Sequence, residues 1–308
     1  MAILVGTSGW SYPSGRGTWN GVFYPARRPA GFDELAWYAG HFDTVEVNST
    51  FYRQPDPAMT SRWIERTPSS FRFAVKLFQK FTHPDMYIEK YGAADWDVTL
   101  GDLDAFRTGI DPIVSANRLV ALLLQFPPSF QAGEETRDYL DWLLRALRGY
   151  PTAVELRHRS WSDEADATRA VLDTHGASWV LIDEPKFRTS IRQALPDSPS
   201  TAGERLCYIR LHGRNAAQWW THDRAEDRYN YLYSPEELSV FADAAREVEA
   251  AGRPVVMYLN NHFSAKAAAN AAILRHQLGQ DVPGIYPRAM VERYPDLDGI
   301  VQTDGLPL

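Results

Sequence analysis

The sequence predicts an α/β fold, a closed (β/α)8 barrel, on three observations. Eight short apolar runs recur along the chain. Most are followed by a segment of helical spacing, and each run ends in a polar residue or a turn. Near-continuous Val, Ile and Leu is what strands buried on both faces look like, as in a parallel sheet covered by helices. Repeated strand–helix alternation then predicts ring closure with right-handed crossovers. An open doubly wound sheet is the alternative, weakened because no GxGxxG or Walker-type turn follows the first run.

The runs are Ile3–Thr7, Thr44–Asn48, Phe71–Lys76, Leu119–Gln125, Ala153–Arg157, Trp179–Asp183, Leu206–His212 and Val255–Asn260. Helices are expected at Phe32–Gly40 and Asp56–Arg66, then at Thr99–Ala116 after a polar excursion through His83–Trp96. Glu134–Leu147 sets Tyr139, Trp142, Leu143 and Leu147 on a helical period and stops at Gly149-Tyr150-Pro151. Ser162–His175 opens on a serine cap and closes before Gly176. Ser234-Pro235-Glu236-Glu237 joins a cap, a proline at the first helical position and early acids, and its helix is expected to reach Gly252. Ser264–Leu278 is alanine-rich and ends before Gly279. The sixth unit breaks the rhythm. Glu184–Glu204 holds Pro185, Pro196, Pro199 and Gly203 with no helical period, so this helix is expected to be degenerate or replaced by a loop.

Length alone would suggest two domains, yet α/β barrels of about 250 residues form one. One domain over residues 1–308 is expected, with the tail from Gln280 to Leu308 packing across a barrel end. The net charge of −7 argues against general attraction to nucleic acid or anionic membrane. Cys207 is the only cysteine and sits in the apolar run LCYIRL, so it reads as an inert buried thiol, with no intrachain disulfide or cysteine-rich metal site. The segment MAILVGTSGW lacks a positive n-region, and no apolar run approaches the roughly 20 residues that span a bilayer. A soluble, cytoplasmic protein is the expectation, with oligomeric state open.

In such a barrel the chemistry sits where strands end and loops begin. Those ends carry Glu46 and Asn48, Lys76, Gln125, Glu155 with Arg157 and His158, Asp183, Arg210 with His212, and Tyr258 with Asn260 and Asn261. Strand side chains alternate between faces, so Glu46 shares a face with Asn48, Glu155 with Arg157, Arg210 with His212, and Tyr258 with Asn260. The polar parity is expected to point into the barrel near its mouth. The bland alternatives are that Glu155 and Arg210 fill the barrel centre as a satisfied ion pair, that Asp183 caps a turn, and that His158 and His212 are structural hydrogen-bonders. Of ten tryptophans, Trp10, Trp19, Trp96, Trp161, Trp219 and Trp220 fall in predicted loops, and the first loop also brings Tyr12. Such rings suit a planar polar ligand, whereas Trp19 and Trp96 are expected to seal loops to the barrel.

The motifs VGTSGWSY, FDTVEVNSTFYRQP, FAVKLF with nearby His83, LLLQFPPSF, VELRHRSW, YIRLHGRN, YLYSPEEL and YLNNHF followed by NAAIL occur in order from residue 3 to about 275. This string resembles the YecE-like family, the domain of unknown function 72. The resemblance implies a TIM-barrel-like fold and a cytoplasmic bacterial or archaeal setting, and it transfers no catalytic assignment. The chain departs from the family after Asn260-Asn261, where a glycine is more usual and this sequence has Ser264-Ala265-Lys266.

Function is expected to be enzymatic, on a small polar and anionic metabolite carrying phosphate or carboxylate. Lys76, Arg157, Arg210 and His212 are candidates to hold the anion. Glu46 and Glu155 are candidates for acid/base work, and Lys76 for a Schiff-base nucleophile if burial lowers its pKa. Asp183 and His212 complete the catalytic candidates. Trp10, Tyr12, Asn48, Gln125, His158, Trp161, Asn260 and Asn261 join the arginines as ligand-binding candidates. The cofactor is undetermined. A divalent metal on Glu46, Glu155, Asp183 and His212 is the less favoured variant, since no HExxH or DxDxDG spacing supports it. A non-catalytic ligand-binding protein and a protein that processes nucleic acid or phosphodiesters are the remaining readings, nucleic acid being the least expected partner.

Overall fold

The computed structural model describes residues 3–92, 97–193, 206–221 and 223–303. Its main sheet contains β1 Ile3–Ser8, β2 Thr44–Val47, β3 Arg72–Lys76, β4 Leu119–Gln125, β5 Thr152–Glu155, β6 Ser178–Trp179, β7 Leu181–Asp183, β8 Cys207–Leu211 and β9 Val255–Leu259. All neighbours are parallel, in the order β6-β5-β4-β3-β2-β1-β9-β8-β7. The two end segments are separated by Val180 alone, β6 bonding to β5 and β7 to β8. They form one stave that changes neighbour halfway, and the ring closes through it. Each of the eight predicted runs therefore supplies one stave of a TIM-barrel-like α/β fold.

Around the ring lie α1 Glu34–Ala39, α2 Ser49–Tyr52, α3 Pro57–Glu65, α4 Pro84–Tyr91, α5 Leu100–Ser115, α6 Glu134–Ala146, α7 Ser160–Asp163, α8 Ala165–His175, α9 Pro235–Ala250, α10 Lys266–Gln277 and α11 Arg288–Arg293. Side-chain caps start α1, α3, α5 and α9, from Asp33, Asp56, Thr99 and Ser234, with reciprocal capping boxes at the last two. In α5 the residues Leu103, Phe106, Ile110 and Ile113 recur at three- and four-residue steps and are all buried, which makes one face of the helix its anchor. The polar excursion after β3 is partly helical, because Pro84 occupies the first position of α4. Trp96 lies outside the described residues. The helix expected from Ser162 is two helices, broken at Glu164. Ser162 lies inside α7 and its hydroxyl bonds the Arg159 carbonyl at 2.8 Å, so it caps nothing.

In the sixth unit Glu184–Gln193 runs without a helix, and the segment 194–205 lies outside the described residues. The alanine-rich helix begins at Lys266, after a tight turn in which Ser264 and Ala265 take left-handed backbone at φ 54° and 63°. Glycine would hold that conformation without strain, whereas Ser264 and Ala265 do not. The tail reaches the start of the barrel: Gln280 Nε2 donates to the Ile3 carbonyl at 2.9 Å, and Tyr286, Met290 and Leu297 are buried. Among the described residues no helix is long and apolar enough to cross a membrane.

The barrel interior is filled unevenly, and this positions the site. Gly6, Ala74, Ala121 and Ala153 leave space on one side, while Tyr208, Arg210 and Tyr258 reach in from β8 and β9. Tyr258 Oη meets Thr44 Oγ1 at 2.7 Å, and the Tyr208 and Tyr258 rings lie 5.2 Å apart. Gly6 is required by close approach, since a Cβ there would stand 2.2 Å from the Thr44 carbonyl oxygen of the neighbouring stave. Gly6→Ala must part β1 from β2 and is expected to lower stability by about 1–3 kcal/mol in chemical denaturation. An unchanged midpoint would show that the two staves are free to move apart.

Candidate active site

The strand-end residues converge because in-register neighbours on parallel staves point the same way. Gln125 is paired with Glu155, Arg210 with Tyr258, and Glu46 with Ala74, all on the inner parity. At the centre Arg210 spans the barrel. Its Nε and Nη2 donate to Oε2 and Oε1 of Glu46 at 2.9 and 2.7 Å, while Nη1 donates to Oε2 of Glu155. Tyr208 Oη donates to the same Glu46 carboxylate at 2.7 Å. Glu155 Oε1 accepts from Arg157 Nε at 2.7 Å and lies 3.6 Å from Nε2 of His212. The other His212 nitrogen meets Asn260 Nδ2 at 2.8 Å, and Glu184 Oε2 stands 3.6 Å from Arg157 Nη1.

Opposing effects set the charges of this floor. Burial disfavours ionised Glu155, but Arg210 and then Arg157 outweigh it and hold the carboxyl well below the usual range. Burial likewise works against the charge of Arg157, which Glu155 and then Glu184 more than restore. For Glu184 burial prevails and its pKa is raised. His212 is pushed down to about 3, by burial and then by Arg210, and is therefore neutral.

Beside the floor stands Lys76, buried at the end of β3. Its Nζ donates to Oε1 of Gln125 at 2.5 Å, lies 3.8 Å from the centroid of the Phe51 ring, and makes no ion pair among the described residues. Burial, then the charge of Arg210, brings its pKa down to about 7; Glu155 and Glu46 pull upward and Arg157 downward. Gln125 is oriented by His83, whose Nε2 is 3.3 Å from the amide nitrogen and whose Nδ1 is 2.9 Å from Thr82 Oγ1. Burial, then Lys76, lowers His83 to about 3. A neutral ring that donates from Nδ1 to Thr82 accepts at Nε2, which turns the Gln125 oxygen toward the amine.

Above these groups opens a cavity of about 310 Å³. Of the sequence candidates Trp10, Tyr12, Asn48, Lys76, Gln125, Arg157, Arg210 and Asn260 line it. Glu46, Glu155 and His212 form the layer beneath, fully buried. Tyr12 stacks on His262 with centroids 4.3 Å apart, and its hydroxyl is engaged by the Ser8 carbonyl. Asn48 Oδ1 is buried without a partner.

Four candidates lie elsewhere. Asp183 is in register with Leu211 on the outer parity, where it pairs with Arg214 at 2.9 and 3.0 Å and accepts from Tyr233 Oη at 2.7 Å. The next residue, Glu184, turns inward instead, so the acid that strand six contributes is one position later than expected. Asn261, one step out of phase with Asn260, ties Tyr231 and Asn270. His158 bonds Ser160 Oγ at 2.9 Å beyond the end of β5. Trp161 is buried, stacks on Phe130 and donates to its carbonyl at 2.7 Å, so it seals a loop as Trp19 does through the His262 carbonyl. With Asp183 on the outer face, the proposed metal set does not assemble, and no group of three His, Cys, Asp or Glu among the described residues is arranged to hold a metal.

Sequence reasoning missed Ser49, Tyr52, Tyr229 and His262 in the lining. Ser49 and Tyr52 belong to α2, placed directly over the mouth because β2 stops at Val47. Tyr229 and His262 come from long loops, for which strand parity offers no signal.

Two outcomes follow from the buried charges. Arg210→Met leaves Glu46 and Glu155 without their shared cation and is expected to cost about 3–5 kcal/mol in chemical denaturation. Lys76 has a folded pKa below its ordinary 10.5, so its burial penalty is fullest below pH 7 and fades as pH rises toward 10.5. Lys76→Met is expected to stabilise the fold by about 1–4 kcal/mol at pH 6, with the gain shrinking toward pH 10. Denaturation midpoints at pH 6, 8 and 10 test this, and a gain independent of pH would assign the effect to packing.

The description "Protein of unknown function DUF72" matches residues 4–293. The chain is 27% identical to UPF0759 protein YunF of Bacillus subtilis (strain 168), over 94% of this chain and 99% of that protein. It is 29% identical to UPF0759 protein YecE of Escherichia coli (strain K12), over 59% of each. In structure it is similar to a DUF72 family protein of Thermotoga maritima MSB8, with a TM-score of 0.74 and 31% identity over 91% of this chain and 100% of that one. A DUF72 family protein of Enterococcus faecalis V583 is similar at a TM-score of 0.74 and 25% identity, over 90% and 95%. With the match running through all eight staves, the chain belongs to the DUF72 family.

Proposed function

We propose that the protein is an enzyme acting on a small polar metabolite with a phosphate or carboxylate group. The anion enters the cavity at the C-terminal mouth of the barrel, and Lys76 is the proton-transfer group. The observation that carries this reading is the sign of the lining, which contains Lys76, Arg157 and Arg210 but no Asp or Glu. The carboxylates of Glu46 and Glu155 lie beneath, held by the arginines. A ligand therefore meets the amine of Lys76 and the guanidinium edge of Arg157, and hydrogen bonds from charged donors are the stronger kind.

Acid/base work shifts from Glu46 and Glu155 to Lys76 on this reading. Both carboxylates are committed to Arg210, whereas an amine near pH 7 holds and releases a proton in the neutral range. A non-catalytic binding protein would use the same cations. What favours an enzyme is the buried amine without an ion pair, which anion recognition alone does not require. Tyr52, Tyr229 and Trp10 add flat walls, and a cavity of this size, near the lower end of ligand pockets of about 300–1,000 Å³, suits a small metabolite.

A thermal-shift screen of sugar phosphates, nucleotides and small carboxylic acids tests the proposal. A ligand at about 100 times its Kd stabilises by about 2.7 kcal/mol, which raises Tm by several degrees. The expected result is a shift from one class of anion that disappears in Lys76→Met and in Arg157→Ala, each measured against its own unliganded Tm. Shifts that persist in both variants, or that come only from neutral or cationic compounds, would remove the assignment.

A further inference from the structure

We infer that the substrate carries a carbonyl group and that Lys76 captures it as an imine, so that the site takes small 2-oxo acids or phosphorylated aldehydes and ketones. The inference rests on the anion-binding reading above and names the substrate class for it.

The geometry around Nζ carries the argument. Among the chain's five lysines, Lys80 is paired with Asp102 at 2.9 Å, Lys90 donates to the Tyr52 carbonyl at 3.0 Å, Lys186 to the Ile182 carbonyl at 3.2 Å, and Lys266 to Asn230. Lys76 alone combines a place at the wall of the barrel-mouth cavity with a neutral side-chain acceptor. Here the carboxylates of the floor are turned away toward arginines, and the amine is left with the Gln125 oxygen and the face of Phe51.

Those two contacts suit the product of imine formation better than the free ammonium. An ammonium has three N–H donors, of which Gln125 satisfies one. A protonated imine has a single N–H, which the same oxygen accepts, and its positive charge remains over the Phe51 ring. The His83–Gln125 contact holds that oxygen in place. The lowered pKa of Lys76 supplies the neutral amine needed for attack near neutrality.

The step balances without a further reagent. The Nζ lone pair forms a bond to the carbonyl carbon, and the carbonyl oxygen takes a proton as the amine loses one, giving the carbinolamine. A second proton, from solvent through the open mouth, lets that hydroxyl leave as water, and the C=N bond forms with one proton on nitrogen. The anionic group of the substrate meets Arg157 across the same cavity.

The test is borohydride trapping on the full chain with pyruvate, glyoxylate and glyceraldehyde 3-phosphate as probes, followed by peptide mass mapping. The expected result is one reduced adduct on Lys76, at least ten-fold above that on the other four lysines, absent from Lys76→Arg and suppressed by excess inorganic phosphate or by a non-carbonyl anion that shifts Tm. Lys76→Arg keeps the charge and cannot form the imine, so a folded variant without adduct supports the proposal. Equal labelling of all lysines, or labelling that survives Lys76→Arg, overturns it. A probe that shifts Tm in an Arg157-dependent way yet leaves no adduct overturns the imine while the anion-binding reading stands. No shift and no adduct with any of the three probes overturns the imine, and the wider anion screen then decides the anion-binding reading by itself.

Discussion

Arg210 lies across the centre of the barrel with one carboxylate on each side, and the rest of the site is arranged around that bridge. A fully buried guanidinium needs acceptors for its donors, and here Glu46 from β2 and Glu155 from β5 supply them. Three staves far apart in sequence are thereby tied at one level. The small residues Gly6, Ala74, Ala121 and Ala153 leave the space that Arg210 and its tyrosine neighbours fill. Buried ion pairs are poor stabilisers compared with apolar packing of the same volume. Their use here suggests a second purpose, which is to keep both carboxylates occupied and below the reach of a ligand.

That occupation determines the character of the layer above. With the acids held down by Arg210 and Arg157, the groups that reach the cavity are cations, amides and aromatic rings. Lys76 feels the positive charge of Arg210 and Arg157 as well as desolvation, while Glu155 and Glu46 offset only part of this. Its lowered pKa is therefore a property of the floor as a whole. The same field keeps His83 and His212 neutral, so they act as hydrogen-bonding spacers for Gln125 and Asn260.

The mouth is completed by loops that meet over it. Trp19 from the first loop donates to the His262 carbonyl of the eighth, and Tyr12 stacks on the His262 ring. The Arg16 backbone N–H, also in the first loop, donates to Glu226 in the loop after β8. These contacts bring Tyr229 and His262 to the cavity. Ser264 and Ala265, held in left-handed backbone just after His262, carry the strain of that turn.

The eight staves and the inward set Glu46, Glu155, Arg157, Arg210, His212 and Asn260 were legible in the sequence, because buried parallel strands show as apolar runs and side chains alternate with a period of two. Lys76 and Gln125 were legible for the same reason, as polar residues closing apolar runs. Parity was legible only where the register was anchored. Asp183 closes its run and looked equivalent to the others, yet β6 and β7 break at Val180, and pairing with β8 turns Asp183 outward and Glu184 inward. Asn261 and Trp161 likewise have the chemistry of site residues and the positions of structural ones. What the tertiary structure alone decided was the vertical order of the charges, with the carboxylates below and Lys76 above, and the loop residues Tyr229 and His262 in the wall. Local sequence sets which face a side chain takes. Its depth, its partner across the barrel and hence its pKa depend on distant staves, 164 residues apart in the Glu46–Arg210 bridge, and only ring closure brings those together.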